Sequence, residues 1–266
     1  MENLPSNARR AYQELADDPK YQHFVRIPDR IIQSIDYFGI ACDQASARTR
    51  LHAYYLFIGV VDDAIDSGRI DTGRLILDYL STPEPVFGDA SRRSSVNLIT
   101  EVLKCNISGD SYPLMMNKLR TLYREVVYER GATSIDSYIE HRKSVGSLTA
   151  ELSYVLIQPD MSVEHAALPE FMKQVGAVGC LVDSLIDLSA DHRLGLLGFK
   201  PGPSDYTKLI ACILRDGVRL SLKHPRLCGL FLQAIVDNLR DPFRVERTFP
   251  PPSFASERKG AAASVA

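Results

Sequence analysis

Residues 54–68 read YYLFIGVVDDAIDSG: an apolar run from Tyr54 to Val61 passes straight into Asp62, Asp63 and Asp66. The apolar content and spacing predict one long helix over roughly 45–66, stopped by Ser67-Gly68. An isolated ionised carboxylate loses its hydration at large cost when buried. A core-like helix that ends in three acids therefore needs water or a cation at that end.

The same helical signal recurs along the chain. A first helix is expected after Ser6, and another from Pro28, a favourable first-turn residue, to about Ala41. Amphipathic segments follow near 69–80, 92–106, 111–130, 134–157, 167–190, 204–221 and 225–240. No period-2 alternation bounded by hairpin turns interrupts them, so strands are not expected. The expected architecture is all-α: a single-domain helical bundle over 1–248. Residues 249–266, FPPPSFASERKGAAASVA, are Pro-, Ser- and Ala-rich and are expected to form a disordered tail.

Composition narrows the function. The chain has 266 residues, 45% of them hydrophobic, and a net charge of −2, which gives no electrostatic reason for a nucleic-acid partner. Five cysteines, Cys42, Cys105, Cys180, Cys212 and Cys228, include no CxxC pair and read as reduced thiols. The N-terminus lacks an apolar signal region, and no apolar run approaches the length needed to span a bilayer. A cytoplasmic protein is expected.

Positions four apart share a helix face, so Asp62 and Asp66 point the same way, with Asp63 about 100° round. Tyr55 and Gly59 lie on the Asp62 side. A second row stands in VGAVGCLVDSLIDLSAD, residues 175–191, where Asp183, Asp187 and Asp191 repeat at four-residue intervals. Behind them on that face are Gly179 and Gly176, whose missing side chains are expected to leave room for a ligand. Like charges at i,i+4 destabilise an isolated helix, so two such rows on apolar helices ask for a shared cation. Mg²⁺ suits them, because it takes six oxygens, usually one or two carboxylates plus waters and substrate phosphates. Zinc does not, since neither row holds His or Cys at ligand spacing. An EF-hand is excluded by the missing oxygen-rich loop.

With these residues in place the chain resembles the class I isoprenoid synthases, most closely their squalene/phytoene synthase branch. That branch shows R-x-x-Y-x-x-Y-x-F-x-R-V-x-D-D-x-x-D, and RLHAYYLFIGVVDDAID, residues 50–66, matches it at Tyr55, Phe57, Val60, Asp62, Asp63 and Asp66. Its second motif, G-x-A-x-Q-x-x-N-x-x-R-D-x-x-x-D, falls on residues 176–191, matching at Gly176, Asp187 and Asp191, with Asp183 in place of the Asn. The same three acids also fit the terpene cyclase pattern (N/D)-x-x-x-(S/T)-x-x-x-E with Asp throughout. Gly59 and Ile186 stand where the branch has arginines, and Cys180 where it has Gln.

The resemblance implies that two or three Mg²⁺ ions, held by Asp62, Asp63, Asp66, Asp183, Asp187 and Asp191, clamp an allylic prenyl diphosphate (geranyl, farnesyl or geranylgeranyl). Ionisation then gives a carbocation and free diphosphate. Arg142, Lys143, Arg193 and Arg50 are the candidate diphosphate-binding cations. Tyr55, Phe57 and Tyr138 are the candidate aromatic walls of the pocket, with Gly59, Gly176 and Gly179 as its small positions. Cyclisation to a terpene and head-to-head coupling of two prenyl diphosphates both stay open. So does a non-catalytic helical binding protein on the same scaffold. A homodimer and peripheral contact with a membrane are compatible with the same reading.

Overall fold

The computed structural model describes residues 4–66, 71–85, 87, 94–163, 165–229, 232, 233 and 236. Among them are nine α-helices: α1 (Ser6–Ala16), α2 (Gln22–Tyr37), α3 (Gln44–Asp66), α4 (Asp71–Tyr79), α5 (Ser95–Asn106), α6 (Tyr112–Arg130), α7 (Ile135–Ile157), α8 (Ala167–Arg193) and α9 (Pro203–Lys223). No strand occurs among the described residues, and an isolated antiparallel bridge joins Cys42 to Met161. The all-α expectation is borne out. The expected stop at Ser67-Gly68, half of the segment 225–240 and the tail 249–266 lie outside the described residues.

One helix start is corrected. Pro28 does not open α2 but lies buried inside it. The Asp18 side chain accepts a hydrogen bond from the Lys20 amide and caps a 3₁₀ turn, Pro19–Tyr21, which leads directly into α2. Pro28 therefore sits in the helix interior, where its ring nitrogen cannot donate to the helical ladder.

The long helix α3 is buried on nearly every side: Ala53, Tyr54, Tyr55, Leu56 and Phe57 are consecutive core residues. A helix that is apolar all round belongs in the middle of a bundle, and α3 packs against α2, α5 and α7. The most extensive contact is between α7 and α8. There Gly146 faces Gly176, and a Cβ on Gly176 would lie 2.2 Å from the Gly146 carbonyl oxygen. A smaller core around Tyr138, Leu181, Leu188 and Leu209 joins α7, α8 and α9.

Helix ends follow local chemistry. Ser134 accepts from the Ser137 amide and opens α7. Gly195, with φ +74°, takes the left-handed conformation that closes α8, and the Leu196 amide donates to the Asp191 carbonyl at 2.9 Å. This reversal returns Leu196 and Leu197 to the wall of the main cavity beside Asp191.

Candidate active site

All six sequence-predicted aspartates line one cavity of about 280 Å³. Asp62, Asp63 and Asp66 come from the C-terminal end of α3, and Asp183, Asp187 and Asp191 from the C-terminal half of α8. Along α3, Phe57 and Val60 are buried whereas Asp62 and Asp63 are exposed. The apolar run therefore ends in acids because that side of the helix borders the cavity, while Ala64 and Ile65 on the same turn stay buried. Acids there work against the helix dipole, which favours cations at a C-terminus, and α3 has no basic residue in its last turn. Their placement does nothing for helix stability. It concentrates negative charge on the cavity.

Cations from other helices partly offset that charge. Asp63 bonds Lys20 Nζ at 3.1 Å and accepts from the Tyr21 hydroxyl at 3.4 Å. Burial works against the charge on Lys20, but the contacts with Tyr21 and Asp63 outweigh it and raise its pKa. Asp66 pairs with Arg130 at 2.5 Å, and the same guanidinium donates to the Ile65 carbonyl at 3.4 Å. Glu129 pairs with Arg142 at 3.3 Å. Lys20, Glu129 and Arg130 all line the cavity, and the sequence reading missed all three. Their only signal was a charge beside a helix end, which is indistinguishable from a solvated surface residue.

Arg142 is the one expected diphosphate-binding cation that reaches the cavity. Its Nε donates to Ser184 Oγ at 2.9 Å and to the Cys180 carbonyl at 3.4 Å. Burial opposes its charge, but Glu129, followed by Cys180, Tyr138 and Asp183, raises its pKa well above the ordinary arginine value. Ser184 fixes it in place. That hydroxyl donates to the Cys180 carbonyl and accepts from both Arg142 and the Tyr138 hydroxyl, which uses its full hydrogen-bonding capacity.

The other three cations are placed elsewhere. Lys143, one residue on and so about 100° around α7, bonds Asp216 of α9. Arg50 pairs with Asp160 at 3.1 Å and donates to the Asn106 carbonyl, tying α3 to α5 and to the turn after α7. Arg193 is exposed and donates to Ser189 of its own helix.

Of the expected aromatic walls, Tyr55 and Phe57 line the cavity. Tyr55 accepts from Ser153 Oγ at 2.9 Å, and burial pushes its pKa up to about 12. Tyr138 does not line it; it is a core residue whose hydroxyl reaches Ser184 at 3.0 Å. Of the glycines, Gly59 lines the cavity as expected, and the other two are corrected. A Cβ on Gly59 would meet the Phe24 ring at 2.5 Å, so an aromatic side chain fills that space. The Gly176 space holds the backbone of α7, and Gly179 is exposed with nothing within 4 Å.

The wall carries seven carboxylates against three lysines and arginines, all three of them already paired to one of those carboxylates. The rest of the lining is largely aliphatic and aromatic, including Phe24, Ile58, Leu119 and Val145. Among the described residues no three His, Cys, Asp or Glu side chains form a group able to hold a metal ion. Mg²⁺ does not require such a group, because it keeps several waters and takes one or two carboxylates plus phosphate oxygens. The donor set, hard oxygens in excess, fits that ion. No family model, curated protein or solved structure matches this chain, so the residues of the cavity themselves carry the functional reading.

Proposed function

We propose that this protein is a Mg²⁺-dependent isoprenoid synthase that ionises an allylic prenyl diphosphate and cyclises the resulting cation to a terpene. The observation that carries the reading is the cavity wall. Two rows of aspartate, far apart in the chain, line one apolar pocket and leave it a net charge of minus four. A pocket that is apolar inside and anionic at its acids suits a ligand with a hydrocarbon chain and a metal-bridged anionic head.

Asp62 and Asp66 on one row, and Asp183, Asp187 and Asp191 on the other, would hold the metal. Bound Mg²⁺ would stabilise the charge that develops on the departing diphosphate. Arg142, locked by Glu129 and Ser184, offers a fixed positive charge to the same group and costs no reorganisation at the moment of bond cleavage. Arg130 does so from α6. Tyr55 and Phe57 line the cavity, where aromatic rings would attract a cation, and the surrounding aliphatic residues would exclude the water that quenches it. The cavity's 280 Å³ is small for a ligand pocket, which favours one prenyl chain and so cyclisation over coupling of two.

The test is incubation of pure protein with Mg²⁺ and C10, C15 or C20 prenyl diphosphate, separately. Inorganic diphosphate is assayed and hydrocarbons are identified by mass spectrometry. Diphosphate release with a cyclic product of the same carbon number is expected, lost in Asp62→Ala and Asp187→Ala. A product of doubled carbon number would replace cyclisation with coupling. No release from any substrate would leave only a binding protein.

A further inference from the structure

The outward face of α9 carries a row of exposed apolar residues. Ile210, Leu214, Val218 and Leu222 follow one another at four-residue spacing and are 41, 60, 54 and 78% exposed. They form one stripe along the helix, continued by the small residue Ala211. Single exposed apolar residues are ordinary, but a contiguous stripe marks a contact surface.

The charges beside the stripe say what covers it. Every exposed charged residue of α9 is basic: Lys208, Arg215, Arg219 and Lys223. The helix's two acids are turned to structural work. Asp205 accepts from the Gly202 amide at the helix start, Asp216 is held by Lys143 of α7 and by Arg215, and Lys208 is paired at 2.7 Å with the exposed Asp136 of α7. Residues 200–229 thus carry six lysines and arginines against two aspartates, within a chain whose net charge is −2. An apolar stripe with Arg219 and Lys223 beside it, and no exposed acid on its own helix, is the pattern of a helix that lies in the interface of an anionic bilayer. A second copy fits less well. In a two-fold antiparallel pairing of α9 stripes, each basic flank would face the same basic flank of the other copy. Nucleic acid offers nothing to bury four aliphatic side chains.

We infer that α9 docks this protein on anionic lipid membranes, its stripe entering the acyl boundary and its basic flank meeting the headgroups. Among the described residues no helix is long and apolar enough to cross a membrane, so the contact lies along the surface. The inference stands apart from the chemistry assigned to the cavity and is read without any substrate.

The experiment is flotation of the full chain with vesicles of phosphatidylcholine alone, or of phosphatidylcholine mixed with phosphatidylglycerol, at low and high salt. Binding to the mixed vesicles is expected, weakened by salt. It should fall about 30-fold in Arg219→Gln/Lys223→Gln, taking roughly a fivefold loss for each headgroup contact. Leu214→Ser/Leu222→Ser should abolish it while circular dichroism stays helical. If that leucine variant unfolds, the salt response and the charge variant still decide. Equal binding to both vesicles, or none, overturns the inference. So does a dimer, seen by light scattering, that the leucine variant dissociates.

Discussion

Glycine on a helix has two opposite meanings here, and they separate at Gly176 and Gly179. Both stand on α8, three residues apart, and both looked like ligand space in the sequence. At Gly176 a methyl group would lie 2.2 Å from a carbonyl oxygen of α7. Backbone cannot yield as a flexible side chain can, so the two most extensively packed helices would have to separate. Gly176→Ala is expected to destabilise the fold by about 1–3 kcal/mol, read from the urea midpoint. Gly179→Ala meets nothing within 4 Å and should be neutral or stabilise by up to about 1 kcal/mol through helix propensity. Equal losses at the two positions would contradict the close approach of α7 to α8. Neighbouring residues on α7 diverge in the same manner. Arg142 faces the cavity and Lys143 faces α9, and only the rotation of the helix about its axis separates their roles.

At the scale of elements, two ion pairs show how burial changes what a charge does. In α5, Glu101 and Lys104 lie 3.1 Å apart with both side chains fully buried, and Lys104 also sits 4.1 Å above the Tyr79 ring of α4. Removing one partner leaves a buried charge without its counter-ion. Lys104→Met is expected to cost about 3–5 kcal/mol, whereas replacing both charges by apolar residues of similar volume should cost far less. A double-mutant cycle in denaturant measures the difference. Between α7 and α9, Asp216 is held well below the ordinary carboxylate range, to about 2, first by Arg215 and then by Lys143. A depressed carboxylate pKa contributes stability that is full above the unfolded value near 3.8 and is lost as pH falls toward 2. Solvent screening limits the contribution to the order of 1 kcal/mol. The wild-type melting midpoint should therefore drop more steeply than that of Asp216→Asn between pH 4 and pH 2.

Across the whole molecule, legibility follows the range of the interaction. The helices and the aspartate rows were readable because four-residue spacing is a property of one helix, and α3 begins and ends within a residue of its expected span. The start of α2 was misread because a 3₁₀ turn leads into it, and periodicity does not register such a turn. Lys20, Glu129 and Arg130 could not be found because their partners Asp63, Arg142 and Asp66 lie on other elements, and only packing brings them together. What emerges is a chain near neutrality whose charge is segregated, with a net minus four on the cavity wall and a basic α9 on the surface. That segregation makes a prediction about ligands in the absence of catalysis. A wall so negative repels diphosphate unless a divalent cation enters with it, because like charges gathered at low dielectric interact strongly. Inorganic diphosphate alone should leave the melting midpoint unchanged, and Mg²⁺ alone should raise it slightly. The two together should raise it by more than the sum. At a hundredfold excess over the dissociation constant the gain is about 2.7 kcal/mol, or roughly 5–10 °C for a chain of this size. Chelation should reverse the shift, and Asp62→Ala/Asp187→Ala should abolish it while retaining the unliganded midpoint within a few degrees. A shift of the same size from diphosphate without Mg²⁺ would place the anion on Arg142 and Arg130 alone and remove the aspartates from ligand binding.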